Sequence, residues 1–106
     1  MRRVRTVDLA VYADTLAARA ATIAAELERS RARLRQGAIE REARRALGEA
    51  TAARLEPLGL LVEGDPRSRR VEIEELGARL AALEELQAWV EERLFAAREE
   101  GYAMRE

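Results

Sequence analysis

The sequence predicts an all-α fold: a helical bundle of two long amphipathic helices and a shorter middle one, with coiled-coil-like seams. Three observations carry this expectation. Ala, Arg, Glu and Leu fill 72 of the 106 positions, well above the roughly 50% share that marks long helices. Apolar residues recur at alternating four- and three-residue steps in both halves of the chain. The only two prolines, Pro57 and Pro66, bracket its one stretch of altered composition. At 106 residues and 11.9 kDa the chain reads as a single domain, with helices over 7–36, 38–55 and 70–100 and a connector over 56–69.

The first helix opens at Thr6 or Asp8, whose side-chain oxygens suit the free amides of a first helical turn. Its seam follows Leu9, Ala13, Leu16, Ala20, Ile23, Leu27 and Leu34, interrupted by Ser30. A second stripe of alanines runs beside it: Ala10, Ala17 and Ala24 on one flank, then Ala18, Ala25 and Ala32. Small side chains admit a neighbouring backbone closely, so this helix has a face for more than one partner. At Gln36-Gly37 the apolar register slips by one, and the next stripe is Ile39, Ala43, Leu47 and Ala50. Gly costs about 1 kcal/mol against Ala within a helix, and a break or kink is expected there.

The connector carries two readings. In the favoured one it is a loop closed by Asp65, which caps a helix begun by Pro66. In the other, 60–63 and 69–73 pair as a short β-hairpin spanning 60–73.

The last helix has the most regular pattern. Ile73, Leu76, Leu80, Leu83, Gln87, Val90, Leu94 and Ala97 form an unbroken four-three series, with Leu86, Trp89 and Phe95 widening the apolar face. So wide a face suits a bundle better than an isolated two-stranded coil. Gly101 is a natural stop. Leu76, Leu80, Leu83, Leu86, Trp89, Val90 and Leu94 are the candidate interface, and a single chain has too few helices to cover both this face and the two-sided first helix. Self-association follows, with a homodimer favoured.

Charge is unevenly spread. Residues 1–53 carry 11 Arg and 7 acids, whereas 54–106 carry 8 Arg and 13 acids. Within that first half, Arg29, Arg31, Arg33, Arg35, Arg41, Arg44 and Arg45 form the candidate contact for an anion or an acidic partner. Two explanations fit: the acidic helix of the same chain or of a second copy, or a nucleic-acid backbone. A slight net negative charge and no aromatic residue among those arginines favour the protein partner.

Chemistry is scarce. Cys, His, Lys and Asn are absent, which excludes thiol nucleophiles, His-bearing triads, Schiff-base lysines and the common zinc sites. The adjacent pairs Glu74/Glu75, Glu84/Glu85 and Glu91/Glu92 diverge around a helix, a spacing that suits solvation rather than shared proton chemistry. No catalysis, metal or cofactor is expected. Uncharged runs fall far short of the roughly 18 residues of a membrane span, and no signal-peptide pattern follows Arg2, Arg3 and Arg5. The expectation is a cytoplasmic protein with no membrane partner, acting as a non-enzymatic interaction or assembly module. A nucleic-acid-binding accessory or regulatory protein is the alternative.

Overall fold

The computed structural model describes residues 4–105. The chain is all-α: α1 spans Thr6–Leu47, α2 Glu49–Leu55 and α3 Pro66–Arg105, with a 3-10 turn at Glu56–Leu58. Among the described residues there is no strand. Residues 66–73 lie in the first turns of α3, so the hairpin reading of 60–73 is set aside. Pro66 at the first helical position and Asp65 before it explain why. The proline's φ is already helical and its missing N–H costs nothing there, while the Asp65 carboxylate accepts the Arg67 amide at 3.0 Å and the Ser68 hydroxyl at 2.7 Å.

The helix boundaries differ from expectation in all three helices. α1 starts at Thr6 and runs unbroken through Gly37 to Leu47, so there is neither a break at Gln36-Gly37 nor a helix over 38–55. One glycine costs about 1 kcal/mol, too little to end a helix of 42 residues rich in Ala, Arg, Glu and Leu. The interruption comes instead at Gly48, where φ is 90° and ψ is 166°, a region essentially reserved for glycine. α3 begins at 66 rather than 70 and continues past Gly101 to Arg105.

The chain divides into two compact units, Met1–Ala25 with Gly77–Glu106, and Glu26–Leu76. In the first, Leu9 and Leu16 of α1 are buried in one cluster with Val90 and Leu94 of α3. Ala10, Ala13, Leu83 and Leu86 pack around them. Val90 is wholly buried. Burial recurs at the expected spacing because side chains three and four apart share one side of a helix.

In the second unit the buried residues are Leu27, Ser30, Ala52, Leu61 and Leu76. Ser30, 2% exposed, does not interrupt the seam but occupies it. From Leu34 the half-buried positions continue to Gly37 and Arg44 of α1 and to Gly48 just beyond its end, steps of three, seven and four, with Glu40 and Ala43 beside them. The register therefore does not slip to the Ile39 stripe: Ile39 is 69% and Leu47 57% exposed. On α3 every member of the series from Ile73 to Ala97 is buried or half-buried.

Candidate functional site

The most structured polar site lies within the second unit and is built on Arg44. Its side chain is only 17% exposed and reaches three carboxylates: Glu49 at 2.9 Å, Glu56 at 3.1 Å and Glu63 at 3.8 Å. Nη1 also donates to the Leu61 carbonyl at 3.0 Å. A guanidinium presents its donors in a fixed planar fork. One side chain at the end of α1 therefore ties together the start of α2, the 3-10 turn and the irregular run before α3. Hydrogen bonds from Arg44, then its positive charge, hold the Glu49 carboxyl below its ordinary range, and the same partners hold the arginine's own proton more firmly. The Ser68 hydroxyl, then the Arg67 amide, similarly depress the Asp65 carboxyl.

The backbone this arrangement holds is unusual. Gly59 closes the 3-10 turn at φ 78°, its N–H bonded to the Glu56 carbonyl at 2.9 Å, while the Leu60 N–H reaches back to Leu55 at 3.2 Å. Leu61 then adopts φ 55°. A left-handed conformation is costly for a bulky residue. Burial of the Leu61 side chain to 8% and the bond from Arg44 oppose that cost.

Beside this turn lies a groove of about 360 Å3, bordered by the α1 stretch from Arg33 to Arg44, the turn from Gly59 to Asp65, and Pro66 and Arg69 of α3. Gly37 leaves one helical turn bare on the groove side. The Arg41 guanidinium folds back towards that gap, Nη1 lying 3.5 Å from where a Gly37 Cβ would stand.

The seven arginines of 29–45 do not form one surface. Residues two apart on a helix are about 200° apart around it, so Arg31 and Arg35 face away from Arg29 and Arg33. Arg44 is committed to its carboxylates, and Arg31 pairs with Glu28 at 3.2 Å. What α1 does align is Arg29, Arg33, Gly37 and Arg41, four residues apart each time. Arg33 and Arg41, exposed, are brought to the groove.

The candidate interface residues separate by burial. Val90, Leu94, Leu83 and Leu86 belong to the core cluster of the first unit. Leu80 is half-buried in the same unit, and Leu76 is buried in the other. Trp89 is 54% exposed, its ring beneath the Arg93 guanidinium at 5.9 Å, within the range of a cation–π contact. Phe95, Val7 and Val11 are exposed too, at 66%, 54% and 61%. Val7, Val11, Ala18 and Ala25 are spaced by four, seven and seven along α1, all exposed, about half a turn around from Leu9 and Leu16. Of the alanines read beside the seam, Ala18 and Ala25 lie on this flank, whereas Ala10 packs on the core cluster and Ala24 is half-buried, and the valines were the part that the sequence pattern left unnoticed. The Arg44 hub was missed outright, since its three acids lie on three different elements.

No helix among the described residues is long and apolar enough to cross a membrane, and no group of three or more acidic side chains among them is placed to hold a metal ion. Compared with family models, with curated proteins and with solved structures, the chain finds no match in any of the three.

Proposed function

We propose that the chain is a non-enzymatic helical interaction module that self-associates, most simply as a homodimer, in the cytoplasm. The observation that carries this reading is the exposed stripe of Val7, Val11, Ala18 and Ala25. It lies on the side of α1 turned away from the core cluster. Val7 and Val11 stand exposed one helical turn apart, Asp14 separates them from Ala18 and Ala25 on the same side, and exposed apolar area of this kind on a small protein supports an association surface. Trp89 and Phe95, exposed in the same unit, add aromatic area of the kind that interfaces favour.

A second copy is the occupant that the charges favour. The basic first half and the acidic second half complement one another across two copies, which steers encounter and fixes register. Coiled-coil-like packing of α1 of one copy against α3 of the other, giving a bundle, is the arrangement we infer. The aligned Arg29, Arg33 and Arg41 give a nucleic-acid backbone a foothold as the competing reading.

Light scattering on the purified protein tests the proposal. The expected mass at micromolar concentration is twice 11.9 kDa. The double variant Val7→Glu/Val11→Glu should return a monomer of unchanged helicity, because the substituted side chains already stand in solvent. A wild-type monomer at high micromolar concentration overturns the proposal. Tight binding of a duplex probe, weakening steeply with salt as counterion release requires, would move the reading to nucleic acid.

A further inference from the structure

We infer that the groove beside Gly37 binds a small organic anion, a carboxylate on a short apolar body. Three features of the second unit point to that chemistry. First, Arg33 and Arg41 border the groove, and among the described residues neither has a carboxylate within ion-pair distance. They stand eight residues apart, about 12 Å along α1, on either side of the helical turn that Gly37 leaves bare. Arg41 already folds back towards that turn, to 3.5 Å from the Gly37 Cβ position.

Second, the acids on the rim are spoken for. Glu63 lies 3.8 Å from Arg44, Asp65 accepts from the first turn of α3, and Glu40 accepts from the Gln36 amide at 2.7 Å. Their internal engagement leaves the two free guanidinium forks as the groove's unanswered polar groups. A guanidinium matches a carboxylate in a planar, two-point contact. Third, Leu34, Leu61 and Pro66 supply apolar lining, and the volume of about 360 Å3 lies at the lower end of small-molecule sites. An apolar wall beside two bordering cations fits an amphipathic anion better than a bare inorganic ion. The groove is also held in shape without its ligand, since Arg44 fixes the left-handed Leu61 through its carbonyl.

The test is a titration of the full-length, 15N-labelled protein, followed by amide shifts, with four probes: hexanoate, its neutral isostere hexanamide, acetate and inorganic phosphate. Hexanoate should give saturable shifts centred on Gly37 and on Gly59 to Gly64. Hexanamide should bind about ten-fold more weakly or worse, for loss of the charge-assisted contact, and acetate more weakly for loss of apolar burial. Arg33→Gln/Arg41→Gln should lose hexanoate binding while keeping helicity and mass, and Gly37→Leu should block the groove with a side chain that helices favour. The monomeric Val7→Glu/Val11→Glu protein should bind hexanoate as the wild type does, which separates this site from self-association. Equal binding of hexanoate and hexanamide, phosphate binding as tight as hexanoate, or retention of binding in the double arginine variant each overturns the inference. So does the absence of saturable shifts with hexanoate.

Discussion

Truncating Val90 tests the helix register on which everything else depends. Val90 is the largest wholly buried side chain, at 0% exposure within the cluster with Leu9, Leu16 and Leu94. Val90→Ala removes two methyl groups. At about 0.8 kcal/mol each for transfer from water, this loses about 1.6 kcal/mol. An unrelaxed void of roughly 50 Å3 adds about 1.2 kcal/mol at ~24 cal/mol per Å3. Partial collapse of the void would lower the total of nearly 3 kcal/mol towards 2. A chain of 106 residues unfolds with an entropy near 0.22 kcal/mol/K, at about 2.1 cal/mol/K per residue. The melting temperature should therefore fall by about 9–13 °C. Ile39→Ala is the matched comparison, since Ile39 is 69% exposed and an exposed truncation changes stability by no more than about 0.5 kcal/mol. Thermal unfolding followed by circular dichroism, with all proteins at one concentration, reads both. If Ile39→Ala costs as much as Val90→Ala, the buried face of α1 is not the one described, and the reasoning from register fails.

Three further outcomes are expected. Gly37→Ala should raise stability by about 0.8–1 kcal/mol, its new methyl meeting Arg41 at an ordinary 3.5 Å. Gly48→Ala should lower it by about 1–3 kcal/mol because of its backbone angles; urea midpoints of opposite shift check the pair. Arg44→Gln should destabilise markedly more than Arg45→Gln in the same assay, for it leaves three carboxylates facing one another and releases the Leu61 carbonyl. Acidification should lower the urea midpoint. The Glu49 and Asp65 carboxyls are held below their ordinary range when folded, so their stabilisation is complete above about pH 4–5 and drains away as pH falls through the folded values. Glu49→Gln and Asp65→Asn should each flatten that acid limb, and an unchanged limb in both would contradict the assigned contacts.

The α3 seam was legible because every position but Gln87 carries an apolar side chain, and counting apolar residues is enough to find such a stripe. The same count failed past Leu34, where the seam passes through Gly37 and Arg44 of α1 and Gly48 just beyond its end. Those positions are half-buried but carry no large apolar side chain. The search for a hydrophobic stripe therefore drifted to Ile39 and Leu47, which stand in solvent. Gly37 and Gly48 look alike in sequence, yet only Gly48 takes an angle that other residues avoid, and its neighbours do not announce it. The start of α3 was readable because Asp65 and Pro66 each act within one turn. The arginine run misled in the opposite way, since proximity in sequence scatters side chains around a helix. The partners of Arg44 come from positions 49, 56 and 63, which only the fold of the connector brings near it.

The first unit is discontinuous, and that sets an order of events during folding. Its two pieces, ending at Ala25 and resuming at Gly77, are joined only through the whole of the second unit, about 50 residues. Bringing Leu16 to Val90 and Leu9 to Leu94 in an unfolded chain closes loops of about 74 and 85 residues, costing about 3.8–3.9 kcal/mol of chain entropy, from (3/2)RT ln n. The second unit, continuous in sequence, closes much shorter loops and forms first on this reasoning. Synthesis on the ribosome imposes the same order. The N-terminal turns of α1 emerge early and wait for most of the chain before their partners on α3 exist, with Leu9 and Leu16 unburied throughout. A nascent chain of this kind is open to wrong partners in the interval, including the matching stretch of a neighbouring copy.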